Sequence, residues 1–310
     1  MKKLRFLPAF LLLFATAFGQ QINYKIIHDE PAQPRVNINL EYFNIDMGIN
    51  NIDGASFNVG SFGFVEPVTG IGGQYNFKIG LLTFGKLGAE AIPGNLELSV
   101  GGYLMLQNKI VKKPTRVILN REYKGTEYSR NYKGELIKTT TEEYTFLSVP
   151  ARRRTMRGVR AGFYLKRGPF ASDEFPEDVT FNASDPLGLT SMGLYAGVTA
   201  RTIKSVFIDT PTHGVQFNSI GDDLVLDLLV IPVNVFRDVT AEARPNISQE
   251  VRDALGGNPF GFRIGWYRYQ VDKKDRTGKK FGLAAGFEAG VKPYQGIFFN
   301  GSLGLTIIKK

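Results

Sequence analysis

A chain of 310 residues that is 43% hydrophobic is neither disordered nor fibrous, and it is long enough for one large domain or two ordinary ones. It has no Cys, which excludes disulfides, zinc–cysteine sites, a cysteine nucleophile and an acylated lipoprotein. The net charge of +9 is unevenly spread, because residues 107–157 hold 13 Lys or Arg against 5 Glu.

The first segment reads as an export signal. Lys2, Lys3 and Arg5 precede an apolar stretch from Phe6 to Phe18, and Ala17-Phe18-Gly19 before Gln20 fits the small-x-small cleavage rule. A transmembrane anchor would need about 20 apolar residues, and this run is shorter and broken by Pro8. Residues 1–19 are therefore expected to be a signal peptide, and residues 20–310 a single mature domain.

From there the chain repeats segments of about ten residues with two unlike faces, the pattern a transmembrane β-barrel requires. In "QYNFKIGL", Tyr75, Phe77, Ile79 and Leu81 oppose Gln74, Asn76, Lys78 and Gly80. In "NLELSVGGYLML", Leu96, Leu98, Val100, Leu104 and Leu106 oppose Glu97, Ser99, Gly101 and Tyr103. The last two segments repeat the design: Leu283, Phe287 and Val291 oppose Glu288 and Lys292, and Leu303 and Leu305 oppose Ser302 and Gly304. A soluble sandwich also alternates, but it turns its apolar faces inward. A membrane barrel turns them to lipid and fills its interior with Gly, Ser, Tyr and paired charges. The signal segment and the 35 glycines favour the barrel.

Candidate strands fall at 36–47, 56–65, 74–84, 95–107, 115–124, 143–152, 158–167, 193–207, 222–236, 260–271, 280–291 and 296–308. The fold expected is all-β, a transmembrane antiparallel up-and-down barrel of about twelve strands within a range of 8–14. An even count places both termini in the periplasm, with the connections 125–142, 168–192 and 237–259 outside. "TRVILNREY" is too polar for a clean lipid face, and without the fifth and sixth strands the count falls to ten. Asn246 or Ser248 can cap a short helix in which Ile247, Val251 and Leu255 share a face and Gly256 stops it.

Two stretches echo each other. "GVRAGFY" at 158–164 and "GFRIGWY" at 261–267 share Gly-x-Arg-x-Gly-aromatic-Tyr, each preceded by a strand with one proline and followed by a glycine-rich strand. Both Arg lie on the polar face, so Arg160 and Arg263 should point into the lumen. With Glu97, Arg201, Asp227 and Glu288 they form the expected lumen charge network, in which Glu97, Asp227 or Glu288 neutralises them structurally rather than catalytically.

The order of a "YTFLSVP" strand, a "GLYAG" strand, "FGLAAGFEAG" and a closing "GSLGLTII" resembles the small outer-membrane barrels of Bacteroidota, described as porin-family or OmpA/OmpX-like. The resemblance covers mainly residues 144–308 and implies a cell outer membrane location. Such barrels usually end on an aromatic residue, whereas this chain ends Ile308-Lys309-Lys310.

The basic region, an insertion around 108–157, interleaves charge with aromatics: Arg121, Tyr123, Lys124, Tyr128, Arg130, Tyr132 and Lys133. Nucleic acid is not expected as the partner of an exported barrel. Anionic outer-membrane lipid or lipopolysaccharide, or other outer-membrane proteins in a complex, suit the charge, as does a merely solvated hairpin. No cofactor or metal site is expected, since no phosphate-binding loop, His-Glu-x-x-His helix or calcium loop occurs. The histidines are His28 and His213, with Asp209 four residues before the latter. Three readings follow: a non-enzymatic accessory barrel that docks partners through its outer loops, a passive porin-like channel, and an outer-membrane lipid-modifying enzyme or protease using His213.

Overall fold

A computed structural model of the protein describes residues 22–50, 54–85, 96–130, 136–170, 187–237, 259–271, 281–293 and 296–309. The expected signal peptide and the expected helix at 246–256 lie outside those residues. The described strands are β1 (Lys25–Asp29), β2 (Val36–Asn50), β3 (Gly54–Val68), β4 (Ile71–Gly85), β5 (Leu96–Arg130), β6 (Leu136–Phe170), β7 (Leu187–Thr210), β8 (Gly214–Arg237), β9 (Phe260–Gln270), β10 (Phe281–Lys292) and β11 (Gly296–Lys309). Each of β2 to β11 pairs with its neighbours in sequence, β2 with β11 as well, so ten strands close an antiparallel up-and-down barrel. The eleventh, β1, lies outside that ring and pairs with β7, matching Lys25 to Asp209 and Asp29 to Val206.

Twelve expected strands become ten because 95–107 and 115–124 are one strand, β5, and 143–152 and 158–167 are one strand, β6. The gaps expected at 108–114 and 153–157 hold Lys109, Lys112, Lys113 and Pro114, and Arg153, Arg154 and Arg157, yet β5 and β6 run through them. β4 pairs with β5 only as far as Leu104, and β7 pairs with β6 only from Arg153.

The strand count also moves the basic region. Connections of an antiparallel sheet alternate between its two ends, so the β5–β6 and β7–β8 connections leave by the same end as the Thr69–Gly70 turn and the outer ends of β2 and β11. The β6–β7 and β8–β9 connections leave by the other. The expectation that 125–142 shares an end with 168–192 and 237–259 is therefore corrected, and most of its residues are strand rather than loop.

Two compact units result. The larger comprises Glu30–Lys112, Arg152–Ser205 and Ser219–Lys310; the smaller includes Lys113–Ala151, Val206–Asn218 and the chain up to Asp29. In the larger unit the outward side is apolar, while the inward side buries charged and polar groups beside clusters such as Phe62, Phe64, Tyr103 and Tyr269. Outward positions are Leu104, Phe163, Leu194, Leu228, Phe262, Leu283, Phe287 and Leu303, all exposed, while inward positions such as Asn39, Asn44, Glu97, Ser99, Asp227, Arg263 and Glu288 are buried. A bulge in β2 keeps the pattern where alternation breaks: Tyr42 and Phe43 both face out, leaving Glu41 and Asn44 both inside. Small inward residues permit the tight curl that so narrow a barrel needs. A Cβ on Gly158 would stand 2.1 Å from the Leu104 carbonyl oxygen, and one on Gly197 2.1 Å from that of Leu226.

The smaller unit has its own core. Val117 and Leu119 from β5, and Val149 and Ala151 from β6, pack with Val206 and Ile208 of β7 and with Ile22. Its β7–β8 turn is braced by side chains, the Thr210 hydroxyl donating to the Gly214 carbonyl and accepting from the His213 amide.

Candidate functional site

The interior of the barrel collects the charges, and Asp227 on β8 is the first node. Arg160 Nε from β6 lies 3.1 Å from its Oδ1, while Arg263 of β9 donates to its Oδ2 through Nε at 3.0 Å and a terminal nitrogen at 2.8 Å. The two arginines of the sequence echo thus converge on one fully buried carboxylate. Both guanidinium groups also lie over the Tyr195 ring, at 5.0 and 5.4 Å from its centroid, which spreads their charge onto a π face. Turned with its carbonyl toward Arg160, the Gln74 amide accepts from Nε at 2.8 Å.

A second node is built on lysines. Lys78 of β4 lies 2.5 Å from Glu288 of β10 and 3.9 Å from Glu97. Lys292 donates to Glu97 at 2.9 Å and to Asp46 at 3.3 Å, and Lys166 reaches the same Asp46 at 3.2 Å. Arg263 stands 3.7 Å from Glu288, which links the two nodes, and the Tyr267 hydroxyl donates to the same carboxylate.

The third node surrounds Arg201 of β7. It pairs with Asp223 at 2.8 Å and with Glu66 at 3.1 Å, and its guanidinium lies 3.6 Å from the centre of the Phe64 ring. Glu66 also accepts from the Tyr103 hydroxyl at 2.7 Å and from the Gly70 amide at 2.8 Å, tying the β3–β4 turn to the interior. Asn44, Asn58 and Asn300 bond one another beside Glu41.

Among the described residues, each of the six buried Lys and Arg side chains has a carboxylate within 4.0 Å. Of the expected members the structure links Glu97, Arg160, Asp227, Arg263 and Glu288, with the charge of Glu97 going to lysines rather than to the arginines, while Arg201 pairs instead with Asp223 and Glu66. Sequence reasoning left out Asp46, Glu66, Lys78, Lys166, Asp223 and Lys292 as members. For Lys78 and Lys292 the signal was present, since each sits on the polar side of an alternating strand, but Glu66 shares its face of β3 with Phe62 and Phe64, and alternation does not say which inward charges from distant strands will meet. Among the described residues a cavity of about 40 Å³ is bordered by Asn37, Asn39, Asn76, Arg160, Arg201 and Arg263. The Asn37 amide nitrogen and the Asn39 and Asn76 amide oxygens are buried there without protein partners, a polar setting suited to ordered water.

In the smaller unit the charges stay on the surface. Arg121 and Glu142 form a two-nitrogen pair at 3.0 and 2.6 Å, and Lys124 lies 2.9 Å from Glu122 and 3.1 Å from Glu143. The Arg121 hydrogen bonds hold the Glu142 carboxyl below its ordinary range, helped by the Tyr144 hydroxyl. Tyr123 bonds Thr126, and Tyr128 and Arg130 are exposed. Tyr132 and Lys133 lie outside the described residues. His213 sits in the β7–β8 turn with its carbonyl accepting from Gln216 at 2.8 Å; among the described residues no hydrogen bond joins its ring to Asp209. No family model matches the chain, and no curated protein is similar to it.

Proposed function

We propose that this chain is a non-enzymatic barrel of the bacterial outer membrane whose lumen is closed by its own charge network. It serves as an anchor and docking component rather than as a pore. The observation that carries the reading is the polarity of the larger unit, with a row of apolar side chains turned out and, among the described residues, every buried Lys and Arg paired within. The outward row of β6 supports a membrane span in particular. Leu165, Phe163, Ala161 and Val159 lie between Arg167 and Arg157, ten residues apart. At about 3.3 Å per residue and a tilt near 40°, that row is about 25 Å tall, the height of a lipid-facing band.

The channel reading has the weaker support, because water-filled porins use about 16–18 strands, and a 40 Å³ cavity among three arginines holds water molecules rather than a solute path. With the short Thr69–Gly70 turn marking the periplasmic end, the ribbon formed by 113–130 of β5 and 136–151 of β6 belongs to the periplasm. Its partner is then an acidic periplasmic protein surface rather than lipopolysaccharide. Beyond Leu104 and before Arg153 the ribbon edges have no strand partner among the described residues, and they offer backbone groups as well as charge. The test is fractionation. The protein should resist carbonate extraction, shift its gel mobility on boiling, and show no conductance in planar bilayers. Recovery as a soluble periplasmic monomer would overturn the membrane reading, and stable single-channel steps would overturn the closed lumen.

A further inference from the structure

The outward face of the larger unit is not uniform. A groove of about 550 Å³ crosses β5, β6, β7 and β8, lined by Leu106, Val159, Val198, Leu224 and Leu226. Its floor on β7 includes the small Ala200, opposite Arg157 in the ladder, and Val198, opposite Val159. The volume falls within the range of ligand sites, and the lining is almost wholly apolar, with Gln107 and Arg157 at one end.

That end has a charge to offer. Arg157 is exposed and, among the described residues, has no carboxylate partner. The other arginine at this border is neutralised, Arg268 lying 2.7 Å from Asp222. Farther along the same outward row Arg153 is opposite Lys204 in the β6–β7 ladder, two pleat repeats or about 13 Å of strand beyond Arg157. An apolar trough ending in an unneutralised guanidinium at the edge of the lipid-facing band is complementary to an amphiphile with a long hydrocarbon tail and an anionic head.

We propose that the groove holds an acyl chain of an anionic glycerophospholipid, with Arg157 on its phosphate. The leaflet follows from the strand count, since Arg157 lies toward the end where the Thr69–Gly70 turn leaves. This is the inner, glycerophospholipid leaflet rather than the lipopolysaccharide one. The proposal rests on the membrane reading above.

The experiment uses the full chain in vesicles of phosphatidylcholine, alone or mixed with phosphatidylglycerol or with lipopolysaccharide, followed by native mass spectrometry of the protein released from them. The wild-type protein should float with the vesicles and retain phosphatidylglycerol over phosphatidylcholine. Arg157→Gln should lower that retention about fivefold, the weight of one basic residue at a lipid surface. Ala200→Phe, which fills the trough without changing charge, should lower it too. Leu303→Phe, on β11 outside the groove, should leave it unchanged, and unaltered heat-dependent gel mobility in each variant shows that the barrel has formed. Equal retention of all lipids, indifference to Arg157→Gln, or preference for lipopolysaccharide would overturn the proposal while leaving the barrel in the membrane. A wild-type protein that fails to float overturns the membrane reading and the lipid site together.

Discussion

The barrel interior and the β5–β6 ribbon are both rich in charge, and they use it in opposite ways. Inside, Arg263 and Asp227 are 1% and 0% exposed, and each ion is fixed by a partner on another strand. On the ribbon, the Arg121 side chain is 62% exposed, and its partner Glu142 belongs to the strand beside it. Burial makes the first set costly to leave unpaired and so decisive for the fold, whereas water screens the second set and leaves it available to a partner. Charge density alone therefore does not mark a functional surface. What counts is whether the charge is already spent.

The largest effect should come from removing the shared carboxylate. Asp227→Ala strands Arg160 and Arg263 together over Tyr195, and losing one partner of a buried pair costs about 3–5 kcal/mol. Thermal unfolding in detergent micelles, read by the loss of heat-dependent gel mobility, should fall accordingly. An unchanged midpoint would show that the interior is hydrated enough to screen its ions. The next effect belongs to the outer face: Leu303→Arg, near the middle of the β11 row, should cost about 2–4 kcal/mol and impair membrane assembly. Ser302→Thr, one residue away on the lumen side, should pass. If both variants assemble alike, the faces do not differ as the inside-out polarity requires.

The fold class was legible in the sequence because period-2 alternation is a local property. Leu303 and Ser302, or Phe287 and Glu288, declare their faces without reference to any other strand. Strand number was less legible: the basic stretches at 108–114 and 153–157 interrupt the alternation, yet both lie inside continuous strands, β5 and β6. The members of the charge network were half legible. Sequence could place Arg160 and Arg263 inside, but their convergence on Asp227 depends on how the strands around β8 are staggered. The bulge at Tyr42–Phe43 shows the limit most plainly, since a single extra residue there decides whether Asn44 and Asp46 face the lumen or the outside of the barrel.

A smaller effect is expected from shortening the ribbon. Deleting residues 125–142 removes the ribbon's tip but none of the buried cluster of Val117, Leu119, Val149 and Val206, so the barrel should still insert and keep its heat-dependent mobility. Only binding to an acidic partner should be lost. If the deletion blocks insertion, the ribbon belongs to the folding pathway, and the contrast between spent and available charge loses its second half.

The smallest effect should appear in acid and only on the ribbon. The Glu142 carboxyl is held below its ordinary value of 4.5 by Arg121, so the folded state binds its proton less readily than the unfolded chain does. Its contribution is then fully present above that value and is lost as the pH falls through the lower folded one; at neutral pH the pair is intact. Amide resonances around Thr126 and Thr140, which bond across the ribbon, should shift in that acid window. Trp266, the one tryptophan of the chain and an outward residue of β9, should keep its fluorescence. Glu142→Gln should abolish the ribbon transition at once, because an amide neither titrates there nor pairs with Arg121 as an ion. Should Trp266 respond at the same pH as the ribbon, the two charge systems would be energetically coupled, and the ribbon could not be treated as a freely docking surface.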